Sequence, residues 1–318
     1  MTSAKLAFGV DLGGTKIEVV VLDTAGNTLW RHRSATPQGD YPATLGCIAE
    51  LIANAERELG QRAQHIGVGT PGVLTHAGVM KNSNSLCLNG QPLERDLAAL
   101  LQRPVRIAND ADCLALSEAT DGAGVASGNR AAVVFAAILG TGVGAGVVVN
   151  GALLSGPNGL AGEWGHNPLP WAAESERPGW ACYCGQCGCI ETWLSGPAMA
   201  RDHETATGTQ LTAELIASGA AQGDSACEAT LQRFEARLAR ALASVINLLD
   251  PDVIVLGGGV SQLDRLTVNV PALWGQHVFD GSSAAAKKDP VRTKLVRSLH
   301  GDSSGVRGAA WLWNNRLR

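Results

Sequence analysis

The stretch KLAFGVDLGGTKIEVVVLDTAGNTLWRHR, residues 5–33, decides the fold. It reads as an apolar strand, a glycine turn over Asp11 to Thr15, a β-branched strand, a turn at Ala25-Gly26-Asn27 and a third strand. One such meander is ordinary. The pattern returns, however, in AAVVFAAILGTGVGAGVVVNGALLSG, residues 131–156, where Val133 to Leu139 leads into Gly140-Thr141-Gly142, then Gly146 to Val149, Asn150-Gly151 and Ala152 to Leu154. A repeat of this spacing predicts duplicated domains facing one another. The segments ATLGCIAELIANAERELG, LERDLAALLQR and ATLQRFEARLARALASVINLLD carry apolar residues at helical spacing, and the tail SGVRGAAWLWNNRL reads as a closing helix. The chain is therefore an α/β protein, and without a low-complexity linker its two lobes are joined by a hinge.

Both repeats carry a Gly-Thr pair in a glycine-rich turn. Such a turn lets backbone N–H groups and a hydroxyl approach an anion with no Cβ in the way. Facing across a cleft, two of them make a phosphate clamp, opened on one side by Asp11. GVGTPG, Gly67 to Gly72, matches G-x-G-x-x-G literally, but Pro71 and the following VLTHAGV do not begin the helix that a dinucleotide fold needs. It reads as a strand end and a substrate-side loop containing Gly72. The Walker lysine signature is also missing. In DPDVIVLGGGVS the strand Val253 to Leu256 ends in glycines, and Gly257 and Gly258 offer a flat surface for adenine or ribose at the carboxyl end of a parallel strand.

With 318 residues, 45% of them apolar, the chain can bury two domain cores. Its 25 basic and 29 acidic side chains give a net charge of -4 with no like-charge run, so neither nucleic acid nor an anionic membrane is the expected partner. A small molecule is. The N-terminus resembles neither a signal nor a transit peptide, and no apolar stretch reaches the ~18 residues of a membrane helix. These features predict a cytoplasmic protein, where structural disulfides are rare. Cys47, Cys87, Cys113 and Cys227 then read as buried free thiols.

In RIANDADCLALSEA, Asn109 and Asp110 end a short strand and precede a helix. They can cap that helix, and an aspartate at this place can also accept the proton of an attacking hydroxyl while the asparagine orients the substrate. AGEWGHNPLPW sets Glu163 and His166 three apart beside glycines. CYCGQCGCIE follows, with four cysteines in eight residues. Cys182, Cys184, Cys187 and Cys189 could form a four-thiolate site, whereas three of them with His166 would tie two distant segments together. No thioredoxin-like pattern accompanies the cysteines, and sulfur-rich tetrahedral sites select zinc in a structural role. Such a metal would position the loop, and with it Glu163 and Glu191.

The motifs DLGGTK, ANDADC, ILGTGVGAG, EWGH, CYCGQCGCIE and DPDVIVLGGG occur in this order, followed by HGDSSGVRGAAWLW. Together they resemble the ROK sugar kinases of the hexokinase/actin-like superfamily. The resemblance implies a two-lobed ATPase fold, each lobe a mixed sheet with flanking helices around a central cleft. The lobes would be residues 1–112, with a helix over 305–318 packing back, and 113–304, carrying the zinc loop. It implies ATP-phosphate contacts at Asp11, Gly13, Gly14, Thr15, Lys16, Gly140, Thr141 and Gly142, and a catalytic base at Asp110. Sugar contacts are implied at Asn84, Glu163, His166 and Glu191. The structural Zn²⁺ would sit on His166, Cys182, Cys184 and Cys189, with Cys187 at a variable position, and Mg²⁺ would accompany ATP. Within the family, KNSNSLCLNGQP, AGEWGHNPLPW and HGDSSGVRGAAWLW look most like bacterial fructokinases that also accept mannose, with N-acetylglucosamine kinases and glucokinases as alternatives. A homodimer is implied as well. A sugar-responsive repressor is disfavoured because ten residues before Asp11 leave no room for a helix-turn-helix.

Overall fold

The two predicted glycine turns each join the first pair of strands of a separate five-stranded sheet. The computed structural model describes residues 5–125, 131–279 and 289–313. The chain divides into two units, the first made of residues 1–130, 146–161 and 299–318 and the second of 131–145 and 162–298.

In the first unit, β1 (Ala7–Leu12), β2 (Lys16–Leu22) and β3 (Thr28–Ala35) form the meander read from the sequence. Next come α1 (Tyr41–Leu59), β4 (Ile66–Gly69), the short pair β5 (Val73–Leu74) and β6 (Met80–Lys81), α2 (Leu93–Leu101), β7 (Val105–Ala108) and α3 (Asp110–Thr120). The sheet order is β3-β2-β1-β4-β7, antiparallel across the meander and parallel from β1 to β7. Period-two alternation divides β2 between two cores. Ile17, Val19 and Val21 pack with Phe8 and Val10 against α1 and α2, while Val20 and Leu22 join Leu116 of α3 and Val306 and Trp311 of α9 (Ser304–Trp311).

α9 lies directly on the sheet because two strand glycines, paired in register across β1 and β4, leave room for it. A Cβ on Gly9 would stand 2.3 Å from the Val306 carbonyl oxygen, and one on Gly67 1.8 Å from that of Ala309. Either would force the helix off the sheet.

The second unit carries β8 (Val133–Leu139), α4 (Glu191–Leu194), α5 (Gly196–Thr207), α6 (Ala213–Ala221), α7 (Ser225–Leu249), β11 (Val253–Gly257), α8 (Leu266–Trp274) and β12 (Lys294–Arg297). β9 (Val143–Val149) passes from the second unit to the first after Ala145, and β10 (Ala152–Leu153) follows. The sheet order is β10-β9-β8-β11-β12, with β8, β11 and β12 parallel. α7 starts where Asp224 accepts from the Ala226 and Cys227 amides. Its stripe Leu231, Phe234, Leu238, Leu242 and Val245 is buried, as the helical spacing predicts.

The lobe boundary differs from the expected one. Residue 112 lies inside α3, which stays whole with the first unit, and residues 146–161 return there after the second glycine turn. Val306, Ala310 and Trp311 of the closing helix pack against β2 and α3, and residues 314–318 of its expected span lie outside the described ones. No helix among the described residues is long and apolar enough to cross a membrane.

Candidate active site

The turn after β1 holds itself open. Gly13 donates to the Lys16 carbonyl at 3.0 Å, Thr36 ties the Gly13 carbonyl from outside at 2.8 Å, and Gly14 and Thr15 are exposed. Their amides have no partner among the described residues, as an anion-binding turn requires. Asp11 is paired in register with Glu18 across β1 and β2. Burial, then the charge of Glu18 and more weakly that of Asp110, push the Asp11 carboxyl up to about 6 against the opposing pull of Lys16 and Arg33.

Asn109 and Asp110 start α3. The Asn109 side-chain oxygen accepts from the Asp112 amide at 2.6 Å, so the capping half of the sequence reading holds, and Asp110 Oδ1 accepts from the Ala111 amide at 2.9 Å. The Asp110 carboxyl remains accessible to solvent yet densely surrounded by protein, and desolvation raises its pKa from the ordinary carboxylate value. An accessible carboxylate held on an amide with a raised pKa has the properties of a general base. Gly72 has φ +92°, and a Cβ there would stand 2.6 Å from the Lys81 carbonyl, so its conformation sets the turn into β5. Asn84 is exposed on the loop after β6.

In the second unit the turn Gly140-Thr141-Gly142 is fastened at both ends. Gly196 at the start of α5 donates to the Gly140 carbonyl at 2.8 Å, and Glu191 Oε2 accepts from the Val143 amide at 2.8 Å. Thr141, between them, is exposed. A cavity of about 930 Å³ opens beside this turn, lined by Gly140, Thr141, Gly196, Met199, Gly259 and Val260 among others. Its size and largely apolar lining suit a nucleoside. Gly257 and Gly258 are not on its wall. A Cβ on Gly258 would stand 2.5 Å from the Leu139 carbonyl, so this glycine lets β11 leave the sheet past β8, and Gly259 and Val260 provide the surface expected of the two before them.

Glu163 caps the 3₁₀ turn Trp164–His166, which lies against β9; a Cβ on Gly165 would stand 2.0 Å from the Val143 carbonyl. Pro168 bridges Cys189 as an isolated strand pair, and Ile190 donates to Asn167 at 2.8 Å. These bonds bring His166, Cys182, Cys184 and Cys189 together, with one ligand atom from each all within 4.8 Å of one another. Cys182 Sγ is 3.5 Å from His166 Nδ1, and Cys184 Sγ is 3.6 Å from Cys189 Sγ. With Zn–S of about 2.3 Å and Zn–N of about 2.0 Å, a tetrahedron has edges of about 3.8 Å between sulfurs and about 3.5 Å between sulfur and nitrogen. The donor set fits zinc. Cys187 is exposed and outside the cluster, which removes the four-cysteine alternative from this arrangement.

His166 differs in one respect from its expected double role. Its Nε2, the nitrogen left for a sugar, meets the Tyr183 hydroxyl at 2.9 Å. Tyr183 is 82% exposed and stacks its edge on the imidazole, and its place between two cysteines carries no sequence signal for this contact. The loop is anchored behind by Glu176, whose carboxylate is gripped by Arg237 and Arg240 of α7.

An α/β protein of paired five-stranded sheets, each with a glycine turn, one beside a nucleoside-sized cavity and the other near a desolvated carboxylate, defines a sugar kinase of the hexokinase-like ATPase fold. The family model described as ROK family matches residues 7–316, and the chain belongs to that family. It is 37% identical over 310 residues to an N-acetyl-D-glucosamine kinase of Salmonella gallinarum, covering 96% of this chain and 98% of that one. A ROK hexokinase from Thermus thermophilus superposes with a TM-score of 0.82 at 31% identity, covering 96% of both chains. A ROK glucokinase from Streptomyces griseus, solved with glucose and AMPPNP, gives 0.73 at 26% identity, covering 96% of this chain and 98% of that one. These relatives do not carry the fructokinase reading of the sequence segments; N-acetylglucosamine, kept there as an alternative, has the stronger support.

Proposed function

We propose that the protein transfers the γ-phosphoryl group of ATP to the 6-hydroxyl of a hexose, with N-acetylglucosamine as its first candidate substrate. The 37% identity to an N-acetyl-D-glucosamine kinase over nearly the full length of both chains carries this choice. Asp110 accepts the hydroxyl proton as the O6–Pγ bond forms and the bond from Pγ to the bridging oxygen of ADP breaks. Asn109 orients the alcohol. Gly72, Asn84, Glu163, His166 and Glu191 contact the sugar, and Tyr183, bonded to His166, shares that surface. Gly13 to Lys16 and Gly140 to Gly142 hold the phosphates, Gly257 and Gly258 support the turn beside the nucleoside, and Asp11 faces the metal-bound nucleotide. Mg²⁺ supplies charge neutralisation of the transferred group. Zinc on His166, Cys182, Cys184 and Cys189 orders the loop that carries Glu191. The enzyme works in the cytoplasm as a homodimer on ATP and sugar, with no nucleic-acid or membrane partner.

Fructose is the second reading, favoured by the resemblance of KNSNSLCLNGQP and HGDSSGVRGAAWLW to mannofructokinases. ADP release with ATP and Mg²⁺ across N-acetylglucosamine, fructose, mannose and glucose, ranked by kcat/KM, separates the two. N-acetylglucosamine leading by tenfold or more is the expected result. A fructose lead transfers the assignment to fructose, and no turnover with any of the four overturns the kinase reading of the site.

A further inference from the structure

Away from these residues, the first unit has a smaller pocket of about 280 Å³ on the sheet face that packs α9. Val20 of β2, Thr28 and Arg31 of β3, and Leu299, His300, Ser303, Val306 and Arg307 of the C-terminal segment line it. No acid is on its wall. Asp302, which precedes Ser303, is exposed, and the three acids bonded to the wall residues or their neighbours have their oxygens already engaged. Glu18 is fully buried and takes the Nε of both Arg31 and Arg33. Asp121 takes His300 Nε2 at 3.0 Å, the indole N–H of Trp311 at 3.0 Å and Arg307. Glu118 takes the amides of Leu299 and Ala123 and the Ser304 hydroxyl.

The donors on the wall are less completely used. The Arg307 side chain is 11% exposed, and its buried Nε–H has no acceptor among the described residues. Its Nη1 reaches only as far as Thr28 Oγ1 at 3.5 Å, at the outer limit of a hydrogen bond. Arg31 contributes its Nε to Glu18, and its two terminal nitrogens have no partner among the described residues. The donors left for a bound acceptor are Nη1 of Arg307 and the two terminal nitrogens of Arg31, whose side chain is 39% exposed. Two guanidinium groups flanked by hydroxyls are a geometry suited to a phosphate, which accepts from forked donors.

We propose that this pocket is a second anion site, separate from the glycine turns, that takes a phosphate group, either inorganic phosphate or the phosphate of a small phosphomonoester. At about 30 Å³ per water-sized share of volume, the pocket holds some nine such shares, more than a bare oxyanion needs and enough for a small sugar portion. Occupancy fastens the C-terminal segment 299–307 to the β2–β3 hairpin, so a phosphorylated metabolite acts on the unit that carries Asp110 without touching the sugar contacts.

The test uses the full-length protein and two variants. Arg31→Gln removes one guanidinium. Ser303→Asp brings a carboxylate to the pocket at the position preceding α9, where the serine side chain makes no capping bond that the change would remove. Inorganic phosphate and a hexose 6-phosphate are titrated separately, with melting temperature and ³¹P line width as readouts. The proposal expects a saturable shift in the wild type, weakened at least tenfold in both variants. Equal affinities for the two ligands identify inorganic phosphate as sufficient, and a tenfold preference for the sugar phosphate identifies the monoester; each supports the site. No saturable response in the wild type, or an unchanged response in Ser303→Asp, overturns it. If Arg31→Gln does not fold, Ser303→Asp alone decides.

Discussion

Replacing Gly142 by alanine tests whether Glu191 sets the geometry of the phosphate turn. Gly142 is not in the left-handed region, so alanine brings no backbone strain and the substitution isolates a contact. The new Cβ would stand 2.5 Å from Glu191 Oε2 and 3.4 Å from its carboxyl carbon, whereas ordinary contact begins near 3.4 Å. Something must move by about 0.9 Å. The carboxylate is the mobile partner, and a retreat of that size lengthens its 2.8 Å bond to the Val143 amide past the range of a hydrogen bond. A charge-assisted bond of this kind is worth about 1.5–3 kcal/mol, and each 1.4 kcal/mol is tenfold in rate, so kcat/KM for ATP should fall by about 10- to 100-fold. Steady-state kinetics with MgATP varied at saturating sugar measure this, with melting temperature as a control for folding. Glu191→Asp shortens the acid by one methylene and restores the room, so the double variant should lose less than the two single losses combined. Kinetics within twofold of the wild type, or strict additivity in the double variant, would refute the link between Glu191 and the turn.

Asp110→Asn keeps the shape and the bond to Ala111 but cannot accept a proton; kcat should fall about 10²–10⁴-fold while sugar KM stays within a few-fold, measured by coupled ADP release. Cys184→Ser should lower zinc content from about one per chain, read by atomic emission, and lower the melting temperature, since structural zinc contributes folding energy directly; unchanged stoichiometric zinc counts against the ligand set. The hydrogen bond to Asp121 is the main reason that the His300 pKa is raised above 6.5. The folded state therefore binds this proton more tightly, and the contribution is full below pH 6.5 and lost as pH rises through the raised value. Urea unfolding between pH 6 and pH 8 should show that loss in the wild type and not in His300→Gln.

What could be read from the chain, and what could not, follows from the range of each interaction. The strands, the turns at Gly26 and Gly151 and the helices α1, α2 and α7 rest on near neighbours, and their periodicity survives in the sequence. The density of cysteines made a metal site legible, but their spacing left four cysteines and three with His166 both open, and only the family resemblance implied the set that the fold brings together. The unit boundary was not legible, because residues after 112 and residues 146–161 join the first unit through packing between distant segments that leaves no period in the sequence. Its traces are single glycines: Gly9, Gly67 and Gly308 each sit where a Cβ would strike another element's backbone, yet nothing in the sequence says which element each one meets. The anion pocket shares this property. Arg31, Ser303 and Arg307 have no motif that joins them, and only the seating of α9 on glycines brings the last two within reach of β3. A substitution that lifts the helix, such as Gly67→Ala with its 1.8 Å conflict, should therefore disperse the pocket while leaving the second unit's cysteine-histidine cluster intact. Loss of phosphate binding with retained zinc in that variant would separate the two sites by their dependence on this one contact.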